Sequence, residues 1–177
     1  MDNTIGAAGG AATGVAATDM AAGDKSRRLK DKIKVLKKLY PHTRSVLLPA
    51  LYAAQELYGW LGEDALEAVS RLTGVPSAEV KGVVTFYSLY KTRPMGRNVI
   101  YLCTNVACFI MGANTLEEFL EKTYGLSHGE TTADGRFSLV IMECIGACDK
   151  APAMLVNDDC HFNLTIDNIK AILDNYK

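Results

Sequence analysis

The sequence predicts an α+β protein in which an N-terminal helical bundle is followed by an α/β domain. Apolar residues recur at helical spacing between positions 29 and 73. Short apolar runs that are typical of buried strands appear only from position 98 onward. Four of the five cysteines form two close pairs, and each pair begins where one of these runs ends. We therefore expect a helical domain over residues 25–92 and an α/β domain over 93–177.

Length and composition limit the classes of function. The chain has 177 residues, of which 49% are hydrophobic and 22% charged, as in an ordinary globular protein with a buried core. Its 19 basic and 20 acidic residues leave a formal net charge of -1, so strong electrostatic attraction to nucleic acid or to an anionic membrane is not expected. No apolar run reaches the roughly 18 residues of a membrane-spanning helix. We expect no membrane span.

Residues 1–24 are dominated by Ala, Gly and Thr and contain no aromatic residue. This composition predicts a flexible tail. The segment lacks the basic start and apolar centre of a secretory signal, and three aspartates interrupt it before the first arginine, which disfavours a transit peptide. A cytoplasmic location is therefore expected.

Three helices are predicted in the first domain. The basic run KSRRLKDKIKVLKKLY has one apolar stripe, and its charged residues are interpreted as a solvated face. Pro41 ends this helix. A second helix begins near Ser45 and stops at Gly59, and a third covers 63–73 and closes at Gly74. The stripe of the first helix consists of Leu29, Ile33, Leu36 and Tyr40.

The second domain is predicted to alternate strands and helices as an α/β sandwich with one helical face. Asn114 and Glu117 suit a capping box for the helix after the first strand. Thr165 can cap the last helix. Apolar runs predict three strands, over 98–103, 137–143 and 153–156. The last helix carries apolar residues at core spacing: Ile166, Ile169, Ile172 and Leu173.

The cysteines point to a metal centre. Cys103 and Cys108 are spaced C-x4-C, and Cys144 and Cys148 are spaced C-x3-C. An odd number of clustered cysteines does not suit a secreted disulfide framework, and paired thiols in a reducing compartment are typical metal ligands. Each pair follows a predicted strand. If the two strands lie side by side, the four sulfur atoms converge.

The cysteine spacing alone is compatible with two kinds of metal centre. A [2Fe-2S] cluster takes four thiolates, two on each iron, whereas a structural zinc ion takes four around one ion. Gly112 and Gly146 allow the backbone to approach a bulky inorganic group. A third interpretation, four unrelated buried thiols, is disfavoured because isolated core cysteines seldom have paired spacing.

Further motifs carry a resemblance to a known family. The chain resembles, over residues 30–177, the thioredoxin-like [2Fe-2S] subunit of NADH:quinone oxidoreductase, which is the E subunit of bacterial respiratory complex I. The motifs, in chain order, are GVVTFY at 82–87, PMGR at 94–97, the first cysteine pair, CIGAC at 144–148, Ala151-Pro152, NDD at 157–159 and NLT at 163–165.

The resemblance implies a thioredoxin-like second domain that holds one [2Fe-2S] cluster. It places Cys103 and Cys108 on one iron and Cys144 and Cys148 on the other. It also implies two partners, namely a flavoprotein subunit that carries FMN and the NADH site and a larger iron-sulfur subunit. The complex would lie peripherally on the cytoplasmic side of the inner membrane. The chain itself contains no G-x-G-x-x-G after a strand and no P-loop, so we expect an oxidoreductase subunit that is not catalytic alone.

Two alternatives remain at this point. The chain could be the equivalent subunit of an NAD-linked hydrogenase or formate dehydrogenase, or, in a different class, a zinc-stabilised binding module. Cys160 lies outside both pairs, in a predicted turn, and is interpreted as a spare thiol because four ligands suffice. The three histidines are scattered near loop signals and are not expected to be ligands: His42, His128 and His161.

Overall fold

A computed structural model describes residues 15–177, with side chains described from residue 23 onward. The chain divides into two compact units at the Thr92–Arg93 junction. Among the helices of the described region, none combines the length and the apolar character needed to cross a membrane.

The first unit, from residue 15 onward, consists of four helices and a short 3-10 turn. The helices are α1 (Val15–Leu39), α2 (Leu47–Tyr58), α3 (Glu63–Thr73) and α4 (Ser77–Phe86), and the 3-10 turn Thr43–Val46 precedes α2. Their apolar faces enclose one core, in which Leu29, Leu51, Val69 and Val80 are completely buried. The periodicity of the sequence indicates the first three helices but not α4.

Helix α1 begins earlier than the sequence pattern indicates. Residues 15–24, which the composition assigns to a flexible tail, belong to this helix. Alanine, the strongest helix former, occupies four of these ten positions, so the helix extends beyond its amphipathic part. Residues 1–14, the rest of the predicted tail, lie outside the described residues.

Glycines end α2 and α3 as predicted. Gly59 has a φ of 86° and Gly74 a φ of 78°, a region that favours glycine, and each donates its N–H to a carbonyl of the last turn. The predicted stripe on α1 is only partly correct. Leu29 and Ile33 are buried, but Tyr40 lies beyond the end of the helix and is exposed.

The second unit is a four-stranded mixed sheet with three helices. The strands are β1 (Asn98–Cys103), β2 (Phe137–Met142), β3 (Met154–Val156) and β4 (Asp159–His161), and their order in the sheet is β2-β1-β3-β4. β1 runs parallel to β2, while the β1–β3 and β3–β4 pairs are antiparallel. The helices are α5 (Val106–Ile110), α6 (Ala113–Tyr124) and α7 (Ile166–Asp174).

The core of this unit lies between the sheet and the long helices. Every residue of β1 is buried, and Leu116, Leu120 and Ile169 pack against the sheet residues. Ile166, which was expected in this core, is instead exposed. The other predicted members of α7 have at least partly buried side chains.

Two predictions about helix capping have different outcomes. Thr165 caps α7 in a reciprocal capping box with Asn168, so this prediction is confirmed. The predicted box of Asn114 and Glu117 is wrong, because α6 already begins at Ala113, directly after Gly112. The backbone of Gly112, at a φ of 96°, joins α5 to α6 without a capping side chain.

Candidate metal centre

Parallel pairing of β1 and β2 brings together the chain segments that carry the cysteines. Cys103, the last residue of β1, is in register with Met142, the last residue of β2. The N–H of Thr104 donates to the carbonyl of Met142 at 3.1 Å, so the two segments leave the sheet side by side. The two strands therefore lie side by side, which is the arrangement that the expected convergence of the four sulfur atoms requires.

The first cysteine pair is held by regular, buried structure. Cys103 is 3% exposed, and its N–H donates to the carbonyl of Ala153 in the segment leading into β3. Cys108, expected in a loop, lies in the short helix α5 and is 2% exposed. Asn105 caps this helix by accepting from the N–H of Val106.

The second cysteine pair lies in an exposed segment. Cys144 follows β2 after one intervening residue, and Cys148 begins a 3-10 turn that ends at Lys150. Both cysteine side chains are exposed. Between them, Gly146 has a φ of 79° and donates its N–H to Sγ of Cys144 at 3.3 Å. A backbone N–H therefore already points at one of the sulfur atoms.

Interactions among the thiols connect the two pairs. Burial raises the pKa of Cys108 to about 11, and the hydrogen bond with Cys103 and the proximity of Cys103 and Cys148 add to this shift. The pKa of Cys148 is raised chiefly by the neighbouring Cys144, with a further contribution from Cys103. The neighbouring thiols thus disfavour ionisation of Cys108 and Cys148, a situation that bound cations relieve.

The surroundings fit a compact inorganic group. Small side chains predominate around the buried pair, which packs with Ala113, Ala151 and Ala153 and against Ala107, Ile145, Ala147 and Phe162. Across the part of the chain with described coordinates, no group of three or more His, Cys, Asp or Glu is placed to hold one metal ion. Cys108 interacts most directly with Cys103, and Cys148 with Cys144, so the thiols form two pairs. A two-iron cluster requires two thiolates on each iron, so the donor set matches.

The remaining candidate residues have other environments. Cys160, expected in a turn, lies in β4 opposite Leu155 and is exposed. Nδ1 of His128 accepts from the N–H of Ile141, and Nε2 of His161 forms a hydrogen bond with the hydroxyl of Tyr176. The structure thus places the two cysteine pairs on adjacent segments after β1 and β2, and the fifth cysteine on another strand.

Sequence reasoning missed part of the environment of the site. Ala153 supports Cys103 through its carbonyl, and α5 carries Cys108. The apolar run VACFIM, which follows Asn105, was the available signal for α5, but a helix of five residues is too short to show helical periodicity. The role of Ala153 had no signal in the sequence, because it arises from the pairing of distant segments.

The chain is similar to known proteins of one family. Residues 33–177 match the family described as thioredoxin-like [2Fe-2S] ferredoxin. The chain is 41% identical to an E subunit of NADH-quinone oxidoreductase, numbered E 2, of Rhizobium meliloti (strain 1021), over 84% of this chain and 89% of that protein. It is 39% identical to the E subunit of NADH-quinone oxidoreductase of Escherichia coli (strain K12), over 78% of this chain and 83% of the relative.

Among solved structures, the chain resembles part of an NAD+-reducing [NiFe]-hydrogenase in the air-oxidized state. The TM-score is 0.63 at 28% sequence identity, and the match covers 74% of this chain. It covers 22% of the hydrogenase chain, so the present chain corresponds to less than a quarter of that protein.

The family match covers most of the chain, and the two relatives align over 89% and 83% of their own length. The expected fold class, α+β with a thioredoxin-like second part, is confirmed, and so is the expected [2Fe-2S] cofactor. A zinc-stabilised module is therefore no longer a competing interpretation. The chain belongs to the thioredoxin-like [2Fe-2S] ferredoxin family, within its group of NADH-quinone oxidoreductase E subunits.

Proposed function

We propose that Cys103, Cys108, Cys144 and Cys148 hold the [2Fe-2S] cluster of this chain, the first pair on one iron and the second pair on the other. One observation carries the proposal. β1 and β2 are parallel neighbours, and the two cysteine pairs follow their adjacent ends. The raised pKa values of Cys108 and Cys148, to which thiols of both pairs contribute, support the same grouping.

Each part of the site has a distinct role in this proposal. Cys103 and Cys108 are buried and form the side of the site that faces the protein interior. The exposed pair closes the site from the loop, and the N–H of Gly146 stabilises negative charge on Sγ of Cys144. When bound, the cluster supplies a centre that accepts and donates one electron.

The chain acts as an electron-transfer subunit of an NADH:quinone oxidoreductase complex. Its partners in the proposal are the flavoprotein subunit with FMN and the NADH site and the larger iron-sulfur subunit. The identity with E subunits over most of the chain supports this assignment. The assembly would lie peripherally on the cytoplasmic side of the inner membrane. The chain supplies no nucleotide motif of its own, and it is not catalytic alone.

The same proposal assigns different tasks to the two parts of the chain. Residues 25–92 form a helical domain, and residues 93–177 form the domain that holds the cluster. The division into compact units at Thr92 and Arg93 supports this boundary, as do the separate apolar cores.

A second host complex is favoured by a specific observation. The structural similarity to the NAD+-reducing hydrogenase supports the alternative that this chain is the equivalent subunit of an NAD-linked hydrogenase. In a formate dehydrogenase, the equivalent subunit would have the same electron-transfer role. Isolation of the native assembly and identification of its subunits by mass spectrometry distinguishes these hosts. Membrane-embedded companions support the respiratory complex, whereas nickel-iron or molybdenum subunits support the alternatives.

The cluster and its ligands can be tested on the purified full-length chain. We expect iron and labile sulfide in equal amounts, about two of each per chain, and a one-electron paramagnetic resonance signal after reduction with dithionite. Stoichiometric zinc without sulfide would overturn the proposal. Full cluster content in a Cys144→Ser or Cys108→Ser variant would overturn the ligand assignment.

A further inference from the structure

Lys150 ends the short 3-10 turn that begins at Cys148, one of the proposed cluster ligands. The backbone of this lysine is held on both sides. Its N–H donates to the carbonyl of Ala147 at 3.0 Å, and its carbonyl accepts from the N–H of Asn163 at 2.8 Å. The side chain of Lys150 therefore starts from a fixed point beside the exposed cysteine pair.

The ammonium group of Lys150 lies over the ring of Phe162. Nζ is 5.0 Å from the centre of the ring, which is within the range of a cation–π interaction. Phe162 is partly buried and packs against the group of buried residues that contains Cys103 and Cys108. The ring thus connects a lysine beside the exposed cysteine pair to the buried pair.

The positive charge of Lys150 is not neutralised by an ion pair. None of the ion pairs between side chains in the described part of the chain includes this lysine. The preceding residue, Asp149, carries the opposite charge, and it contributes to the raised pKa of Cys148. Two opposite charges therefore occupy consecutive positions directly after one proposed ligand.

A positive charge near the cluster favours the reduced form of the cluster. Two ferric ions, two sulfides and four thiolates have a formal charge of about -2, which becomes about -3 when one electron is added. A nearby cation attracts the more negative form more strongly, so it raises the reduction potential. Lys150 is exposed, and solvent screens part of this attraction. The expected effect is therefore moderate.

We propose that Lys150 raises the reduction potential of the [2Fe-2S] cluster and that Phe162 is a positioning residue that acts through Lys150. This inference rests on the proposed function, in which Cys103, Cys108, Cys144 and Cys148 hold the cluster. The ammonium group stabilises the negative charge that the cluster gains when it accepts one electron. The ring of Phe162 keeps the ammonium group beside the site.

The test measures the midpoint potential of the full-length, cluster-loaded chain. Dithionite supplies the electrons, and paramagnetic resonance follows the reduced cluster. Lys150→Met removes the charge and should shift the reduction equilibrium about threefold to tenfold toward the oxidised cluster, where tenfold corresponds to about 59 mV for one electron. Lys150→Arg keeps the charge and should retain the wild-type potential. Asp149→Asn removes the opposite charge and should raise the potential.

A double-mutant cycle tests the role of the ring. Phe162→Leu removes the cation–π contact but keeps an apolar side chain, so it should lower the potential by less than Lys150→Met does. In a chain that already carries Lys150→Met, Phe162→Leu should have no further effect on the potential. An equal effect of Phe162→Leu in both backgrounds would show that the ring does not act through the lysine.

Cluster content separates failure of this inference from failure of the proposed function. Iron, sulfide and the paramagnetic resonance signal are measured first, and a wild-type chain without a [2Fe-2S] cluster refutes the function itself. If Lys150→Met does not retain the cluster, Lys150→Gln replaces it in the comparison, because an uncharged polar group suits an exposed position.

With intact clusters, two results would overturn the assignment of Lys150. The first is a wild-type potential in the uncharged variant. The second is an equal fall in potential in Lys150→Arg or Asp149→Asn, which would show that any change in this turn has the same effect. A fall in the uncharged variant alone, with a rise in Asp149→Asn, supports the proposal.

Discussion

The two cysteine pairs of the candidate metal centre are supported in different ways. Cys103 ends a strand on which every residue is buried. Cys108 lies in α5 and packs against alanines from several segments of the chain. Cys144 and Cys148 are exposed in the segment after β2, where one glycine and a 3-10 turn direct the backbone. Core packing therefore positions one half of the site, whereas loop conformation positions the other half.

This difference predicts how each half responds to change. The buried half is expected to affect the stability of the cluster-free protein, because its residues also belong to the core. The exposed half is expected to affect cluster binding with little effect on the cluster-free fold. Four sets of substitutions test this contrast, in order of decreasing expected effect.

The largest effect is expected when a ligand of each pair is replaced. Cys103→Ser and Cys144→Ser should both abolish the visible absorption of the cluster. In the cluster-free protein, Cys103→Ser should lower the free energy of unfolding by about 1–3 kcal/mol, because a hydroxyl replaces a thiol at a buried position. Cys144→Ser should change it by less than about 0.5 kcal/mol. Denaturant unfolding measures both values. Equal losses of stability would show that the buried and exposed pairs do not differ as predicted.

Overpacking beside the buried pair should have the next largest effect. Ala153 is completely buried, and its carbonyl accepts from the N–H of Cys103. Ala153→Leu should destabilise the protein by about 1–3 kcal/mol and reduce cluster content, because the added atoms occupy space next to the sulfur atoms. Ala147 is only partly buried at the edge of the same cluster, so Ala147→Leu provides a graded comparison and should cost less stability. Thermal unfolding and iron analysis measure both variants. A larger loss in Ala147→Leu than in Ala153→Leu would contradict the prediction.

A smaller effect is expected at the glycine of the exposed half. Gly146→Ala should cost about 1–2 kcal/mol, because the left-handed conformation disfavours a side chain. No other atom lies within 4 Å of the added Cβ, so backbone strain is the sole penalty. Gly135, with a φ of 68° and equally open surroundings, provides the control. Both variants should lose similar stability, but only Gly146→Ala should release iron faster to a chelator.

The smallest effect is expected outside both halves. Cys160 is exposed on β4, and Cys160→Ser should leave the visible absorption unchanged and alter the free energy of unfolding by less than about 0.5 kcal/mol. Absorption spectroscopy of the purified variant provides the measurement. A colourless Cys160→Ser protein would contradict the ligand assignment in both halves.

Local patterns predicted the long, regular elements well. The apolar stripes and terminal glycines located α2 and α3, and the hydroxyl of Thr165 located the start of α7. Shorter or less regular elements were missed for identifiable reasons. Helix α4 contains three valines and a glycine, residues with low helix propensity, and tertiary packing of Val80 and Val84 overrides that preference.

The sequence alone determined the chemical inventory of the site: four thiols in two close pairs, each at the end of an apolar strand, with glycines nearby. It also determined the family, through motifs that extend far beyond the cysteines. Tertiary structure decided that β1 and β2 are parallel neighbours and that one pair is buried while the other is exposed. The physical reason is that strand pairing and burial depend on contacts between residues about forty positions apart, which local periodicity does not encode.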